Sequence, residues 1–204
     1  MVREGIIFVL IPVAAAIILF LAGYWALAAV FAALGLFVAF FFRDPHRAIP
    51  NDENIIVSAA DGRVTRIEKL NPNDDQSPIV VSVFLSIFNV HLNRAPIAGE
   101  ITNITYSIGK FVIATRDDAS VINEQNALTI KNERITVVCK QIAGVVARRI
   151  VCWKKPGDRV LLGERFGLIK FGSRTDLILP PEVEILVKIG DRVRGGTSII
   201  GRLR

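Results

Sequence analysis

Only two histidines occur among the 204 residues, so the search for a general base that works near neutral pH has two candidates. His46 lies in the charged run Arg43-Asp44-Pro45-His46-Arg47, where an imidazole sits readily in solvent. His91 lies in Phe84-Leu85-Ser86-Ile87-Phe88-Asn89-Val90-His91-Leu92-Asn93-Arg94, where an apolar run gives way to polar residues; a lone histidine there serves structure as readily as chemistry. Asp61 follows Ser58-Ala59-Ala60 and precedes Gly62, a context that suits a turn cap as well as a carboxylate partner for imidazole. Ser173 stands in Phe171-Gly172-Ser173-Arg174, and Gly-Ser by itself is a common pair. Taken together, Asp61, His91 and Ser173 have the types needed for a relay in which a carboxylate orients an imidazole and the imidazole activates a hydroxyl. The absence of a Gly-x-Ser-x-Gly elbow argues against an α/β hydrolase. Two distant histidines, with Cys139 and Cys152 in no ligand spacing, give no expectation of a bound metal. The two cysteines read as buried thiols of a reducing compartment.

The elements that must position these residues fall into two parts. From Gly5 to Phe42 no Asp, Glu, Lys, Arg or His interrupts an apolar run too long for a signal peptide core. Gly23-Tyr24-Trp25 divides it into 5–22 and 26–42, each near the lower length limit for spanning a bilayer, and Tyr and Trp suit the interface at a hairpin tip. The spacing thus predicts a transmembrane helical hairpin over 1–42, with one long tilted helix as the competing arrangement. In a hairpin, Arg3, Arg43 and Arg47 share a side, which places the following domain on the cytoplasmic side of a cell membrane. The net charge of +6 lies in that domain. Without a block of basic residues interleaved with aromatics, an anionic lipid surface is a better expected partner than nucleic acid.

From residue 43 to 204 the sequence changes to short alternating runs rich in Val, Ile and Thr between Gly, Pro, Asn and Asp, the pattern of a mainly β domain. Ten strands are predicted, at 55–58, 62–69, 79–85, 99–108, 127–131, 135–142, 149–153, 164–171, 175–179 and 184–188. There is also an internal echo. Pro156-Gly157-Asp158-Arg159-Val160 with Gly163 matches Ile189-Gly190-Asp191-Arg192-Val193 with Gly196, and Asp61-Gly62-Arg63-Val64 matches Ala98-Gly99-Glu100-Ile101. Such turns resemble those of the barrel-sandwich hybrid of lipoyl and biotinyl domains, although two similar hairpins in any β domain would give the same echo. Ile/Val-rich edges make a homo-oligomer an additional expectation.

Five motifs then converge. Ser58-Ala59-Ala60-Asp61-Gly62, Phe88-Asn89-Val90-His91-Leu92-Asn93-Arg94, Asn123-Glu124-Gln125-Asn126, Gln141-Ile142-Ala143-Gly144 with Ala147-Arg148-Arg149-Ile150, and Phe171-Gly172-Ser173-Arg174 occur in that order. With Phe42-Arg43-Asp44-Pro45, they resemble the short membrane-anchored form of the phosphatidylserine decarboxylase family over nearly the whole chain. Ala59 stands where that family usually has proline, and Gln125 where it often has arginine. The resemblance implies a self-processing proenzyme in which Asp61 orients His91, His91 deprotonates Ser173, and the chain breaks between Gly172 and Ser173. A large chain 1–172 and a small chain 173–204 would result, the latter opening on a pyruvoyl group derived from Ser173. That group, rather than pyridoxal phosphate or a metal, would condense with the substrate amine and serve as electron sink for decarboxylation.

The implied product is phosphatidylethanolamine, and the implied partners are the phospholipid, the membrane and the two chains of one proenzyme. Arg94 and Arg148 are candidates for the lipid phosphate, because guanidinium presents a fork of donors to phosphate oxygens. Phe88 is a candidate for acyl-chain contact, with core packing as its ordinary alternative. The ether-linked archaetidylserine carries the same reacting head group. A membrane-tethered lipoyl-like binding module is the non-enzymatic alternative, which would have no need to break at Gly172-Ser173.

Overall fold

The computed structural model describes residues 1–109, 122–144, 149–170 and 173–204. Two compact units are present, Met1–His46 and Arg47–Arg204. In the first, α1 (Arg3–Leu21) and α2 (Trp25–Phe41) form a helical hairpin, so the single long helix is replaced by two packed ones. The turn has a local cause. Gly23 takes a positive φ of 83°, letting its N–H reach Phe20 O (3.1 Å) and the Tyr24 N–H reach Leu19 O (2.9 Å), which satisfies carbonyls at the end of α1. Small residues bring the helices together: a Cβ on Gly35 would lie 3.1 Å from Val13 Cγ2, and one on Gly5 would strike Phe42. The rest of the surface of the pair is apolar and exposed, as at Ile7, Ile11, Ile18, Leu21 and Leu36. α1, with 19 residues and a mean hydropathy of 2.7, is long and apolar enough to cross a membrane; α2 has 17 residues.

The second unit is built of antiparallel strands. In chain order they are β1 (Ile55–Val57), β2 (Gly62–Lys69), β3 (Ile79–Leu85), β4 (Leu92–Arg94), β5 (Gly99–Ser107), β6 (Gln125–Lys131) and β7 (Thr136–Ala143), followed by β8 (Ile150–Cys152), β9 (Arg159–Val160), β10 (Arg165–Ile169), β11 (Ser173–Leu179), β12 (Val183–Ile185), β13 (Arg192–Val193) and β14 (Ile199–Leu203). An eight-stranded sheet runs β13-β2-β3-β11-β7-β6-β5-β9, and two three-stranded sheets run β4-β10-β8 and β1-β14-β12. Period-two alternation places Val81, Val83, Leu128, Val137, Cys139 and Leu177 in one buried core.

The internal echo is structural. Gly157 and Gly190 both have positive φ, 90° and 99°. Their N–H groups donate to Ile101 O and Val64 O, each at 2.8 Å, while Asp158 Oδ2 and Asp191 Oδ2 accept from the N–H groups of Lys155 (2.9 Å) and Lys188 (2.8 Å). The flanking pairs match too: β9 on β5 joins Val160 to Gly99, and β13 on β2 joins Val193 to Gly62. The two halves therefore end the large sheet in the same way, and Asp61 in one half takes the place of Ala98 in the other.

Four strands escaped the sequence reading. β4, β9 and β13 are two or three residues long, too short to show alternation. β14 carries Gly201, which looks like a break but is a close approach: a Cβ there would meet Val183 Cγ1 at 2.7 Å and Glu184 O at 2.8 Å. β11 also begins two residues earlier than expected, at Ser173 itself.

Candidate active site

Ser173 opens the central strand of the large sheet, in register with Leu85 of β3 on one side and Ala143 of β7 on the other. It is fully buried, and among the described residues its hydroxyl has no hydrogen-bond partner. An unmatched buried hydroxyl costs about 1–3 kcal/mol, so a fold that keeps one there is strained in favour of whatever engages it.

His91 reaches the same neighbourhood by a closed circuit of short connections. Leu85, opposite Ser173, leads through five residues to His91; the carbonyl of His91 accepts from Ile169 N–H (3.2 Å), and Ile169 is four residues ahead of Ser173. A tight turn shapes this route. Asn89 Oδ1 accepts from Ser86 N–H (2.9 Å) and from Ser86 Oγ (2.8 Å), and Asn89 N–H donates to Ser86 O (2.9 Å). The turn leaves Ile87 and Phe88 outside, Phe88 at 62% exposure, so core packing does not account for Phe88. His91 itself is buried, with Nδ1 3.0 Å from Asn89 O.

Asp61 stands across β3 from β11, because Gly62 packs so closely on Phe84 O that a Cβ would lie 2.1 Å from it. Its carboxylate does not take its hydrogen bonds from His91. Arg47 Nη2 donates to both oxygens, at 2.9 and 2.7 Å, and Gly195 N–H donates to Oδ1 at 2.8 Å. The side chains of Arg47 and Asp61 are only 9% and 13% exposed. Arg47, read from the sequence as one of the cations flanking the apolar segment, is thus the partner of Asp61 from 14 residues away; nothing local in the sequence marks that pairing. Removing the carboxylate charge leaves this guanidinium unmatched. Asp61→Asn is expected to slow any chemistry at Ser173 ten- to hundred-fold, about 1.4–2.8 kcal/mol, in a time course of the purified protein; an unchanged rate would remove Asp61 from the site.

Of the remaining candidates, Arg94 donates from Nη1 to Gly163 O (3.0 Å) and is half-buried beside Gly196. Gly172 and Arg148 lie outside the described residues. His46 is exposed. Cys139 is buried and Cys152 half-buried, both as free thiols; burial pushes both thiols up from their ordinary range, Cys139 the further, which makes neither a nucleophile at neutral pH. Among the described residues no group of three or more His, Cys, Asp or Glu is arranged to hold a metal.

The other sequence motifs prove to be one interlock. Asn123 Nδ2 donates to Ala143 O (2.7 Å), Ala143 N–H donates to Glu124 O (2.9 Å), and Asn126 Nδ2 donates to Gln141 Oε1 (2.9 Å). They brace β7 at Ala143, beside Ser173.

Ser173 at the head of a central strand, His91 and Asp61 are thus each buried or nearly so, at or next to the first residue of a strand, and the comparisons with known proteins say to which family such a chain belongs. Residues 34–201 match the phosphatidylserine decarboxylase family. The chain is 47% identical to a phosphatidylserine decarboxylase proenzyme of Symbiobacterium thermophilum, covering 98% of this chain and 94% of that one. It is 48% identical to the protein of the same name in Solibacter usitatus, over 98% and 96%, and 43% identical to that of Geotalea uraniireducens, over 98% and 95%. The chain therefore belongs to the phosphatidylserine decarboxylase family of carboxy-lyases.

Proposed function

We propose that this chain is a proenzyme that cleaves itself between Gly172 and Ser173 and then decarboxylates phosphatidylserine to phosphatidylethanolamine and CO2. The buried, unpartnered Ser173 hydroxyl carries this reading. His91 accepts the hydroxyl proton, and the freed oxygen attacks the Gly172 carbonyl, exchanging the peptide bond for an ester. Asp61, held by Arg47 and Gly195, is the carboxylate that this reading assigns to orienting His91. Elimination breaks the ester to leave the Gly172 carboxylate and a dehydroalanyl end at 173, which takes up one water and releases ammonia to become pyruvoyl.

The surroundings of Ser173 fit such a group. It would stand at the end of a strand clamped by β3 and β7, in a site without exposed surface. Once formed, it supplies a carbonyl that takes up the electron pair of the breaking bond. His91 then delivers a proton to the carbon that lost CO2. After cleavage the small chain keeps its place: β11 remains between β3 and β7, β13 pairs with β2 and β14 with β1. The ion pair of Arg174 Nε with Asp176 Oδ1 (2.9 Å), buried on the face of β11 opposite Ser173, lies wholly within the small chain.

Intact mass under denaturing conditions tests the cleavage. Chains of 172 and 32 residues are expected, the smaller lighter by one ammonia than its encoded sequence, and co-eluting before denaturation. A single 204-residue chain isolated from membranes would overturn the proposal.

The lipid substrate gives the apolar hairpin a purpose. We place it in the cell membrane with both ends, and so the β domain, on the cytoplasmic side; Phe88 lies toward acyl chains and Arg94 toward the lipid phosphate. Single cysteines introduced at positions 2 and 50 are then expected to react with an impermeant reagent from the same side. Opposite accessibilities would overturn the topology.

A further inference from the structure

Behind Ser173 and His91 lies a second polar layer. Side chains two apart on a strand share a face, so Thr175 follows Ser173 on β11, and Asn93 follows His91 into β4. Gln141 joins the two. It is in register with Thr175 across the β7–β11 pair, and its amide crosses to the small sheet, where Nε2 donates to Asn93 Oδ1 (2.9 Å) and to Val151 O (3.4 Å). The crossing requires Gly167, opposite Asn93 on β10, since a Cβ there would lie 2.9 Å from Gln141 Nε2 and 2.2 Å from Val151 O.

The polarity of this chain of amides is fixed. Val151 O can only accept, which turns Gln141 Nε2 toward it and leaves Gln141 Oε1 to accept from Asn126 Nδ2 (2.9 Å). Asn93 Oδ1 is then the acceptor for Gln141, and Asn93 must present its Nδ2 donors elsewhere. Among the described residues they meet no acceptor: Asn93 Nδ2 and Thr175 Oγ1 are buried without hydrogen-bond partners there, in residues 0% and 1% exposed. Two amides, Gln141 and Asn126, are thus spent on aiming a third, and Thr175 lies in register with the first of them. Two unpartnered neutral groups in one buried polar layer, both able to donate, complement an anionic oxygen.

We propose that Asn93 and Thr175 bind the carboxylate of an α-amino-acid head group, a subsite that rests on the decarboxylase reading above. Substrate and product differ by that carboxylate, so the subsite retains the one and releases the other. Neutral donors also suit the chemistry better than a guanidinium would, since a strong ion pair would stabilise the carboxylate that has to leave as CO2. The buried cation nearest in sequence, Arg174, is turned to the opposite face of β11 and paired with Asp176.

Reductive coupling separates this role from a structural one. With sodium cyanoborohydride present, the amine of either phosphatidylserine or phosphatidylethanolamine in mixed micelles becomes joined to the small chain, read as an increase in its mass. Thr175→Val, which keeps the side-chain shape, and Asn93→Ala are each expected to lower the initial rate of phosphatidylserine coupling at least ten-fold. Coupling of phosphatidylethanolamine is expected to stay within two-fold, and Thr175→Ser to restore the first lipid. Equal losses with both lipids, or no loss with either, would overturn the subsite. A wild-type chain that cleaves but couples neither lipid would overturn the decarboxylase reading together with this one.

Discussion

Replacing Ser173 by alanine is expected to leave one 204-residue chain that neither cleaves nor releases CO2 from phosphatidylserine. The reason is stoichiometric. The hydroxyl oxygen is the atom that takes over the acyl group of Gly172, and its loss by elimination creates the double bond from which the pyruvoyl end arises; alanine offers neither. The substitution should be structurally mild, because the Ser173 hydroxyl makes no hydrogen bond among the described residues and removing an unmatched buried polar group does not cost stability. A Ser173→Ala chain that folds, with wild-type thermal unfolding, and stays intact would tie the loss to chemistry. Cleavage of that variant at the wild-type rate would sink the mechanism outright.

The second large effect is expected at His91. His91→Ala should slow self-cleavage by about 10²–10⁴-fold, or roughly 3–5 kcal/mol, the range for losing a positioned general base. Here the expected residue of activity matters. The seryl hydroxyl and the carbonyl it attacks remain adjacent along the chain, so water can still take the proton slowly, and cleavage over days is compatible with the assignment. Cleavage within two-fold of wild type would return His91 to a structural role. The buried position of the ring and its contact at Nδ1 with Asn89 O would then belong to that structural role.

These expectations rest on residues whose importance was legible to different degrees. His91 was accessible because histidines are scarce, Asp61 and Ser173 because each sits beside a glycine at the edge of an apolar run. What no local pattern revealed is Arg47, 14 residues from the carboxylate it holds. The carboxyamide layer was also missed, although a signal existed: Asn126 and Gln141 fall at inward-facing positions of alternating strands whose neighbours Leu128 and Cys139 are core residues. A polar side chain at such a position needs a partner, and the alternation alone says that one exists without naming it.

The amino-acid sequence by itself determined the division into an apolar helical segment and a β domain, the hairpin turn at Gly23, and the repeated Gly-Asp turns, since each depends on nearest neighbours along the chain. It also determined the cast of reacting groups. Tertiary structure alone decided how they are used. Whether Asp61 binds His91 or Arg47, whether Phe88 is core or surface, and which amides Gln141 meets are set by strand register. Register follows from the packing of whole faces across sheets, such as the approach that Gly167 permits between Gln141 and Val151. Those pairings join residues tens of positions apart, and a one-dimensional pattern carries the preferences of each partner but not the geometry that selects between them.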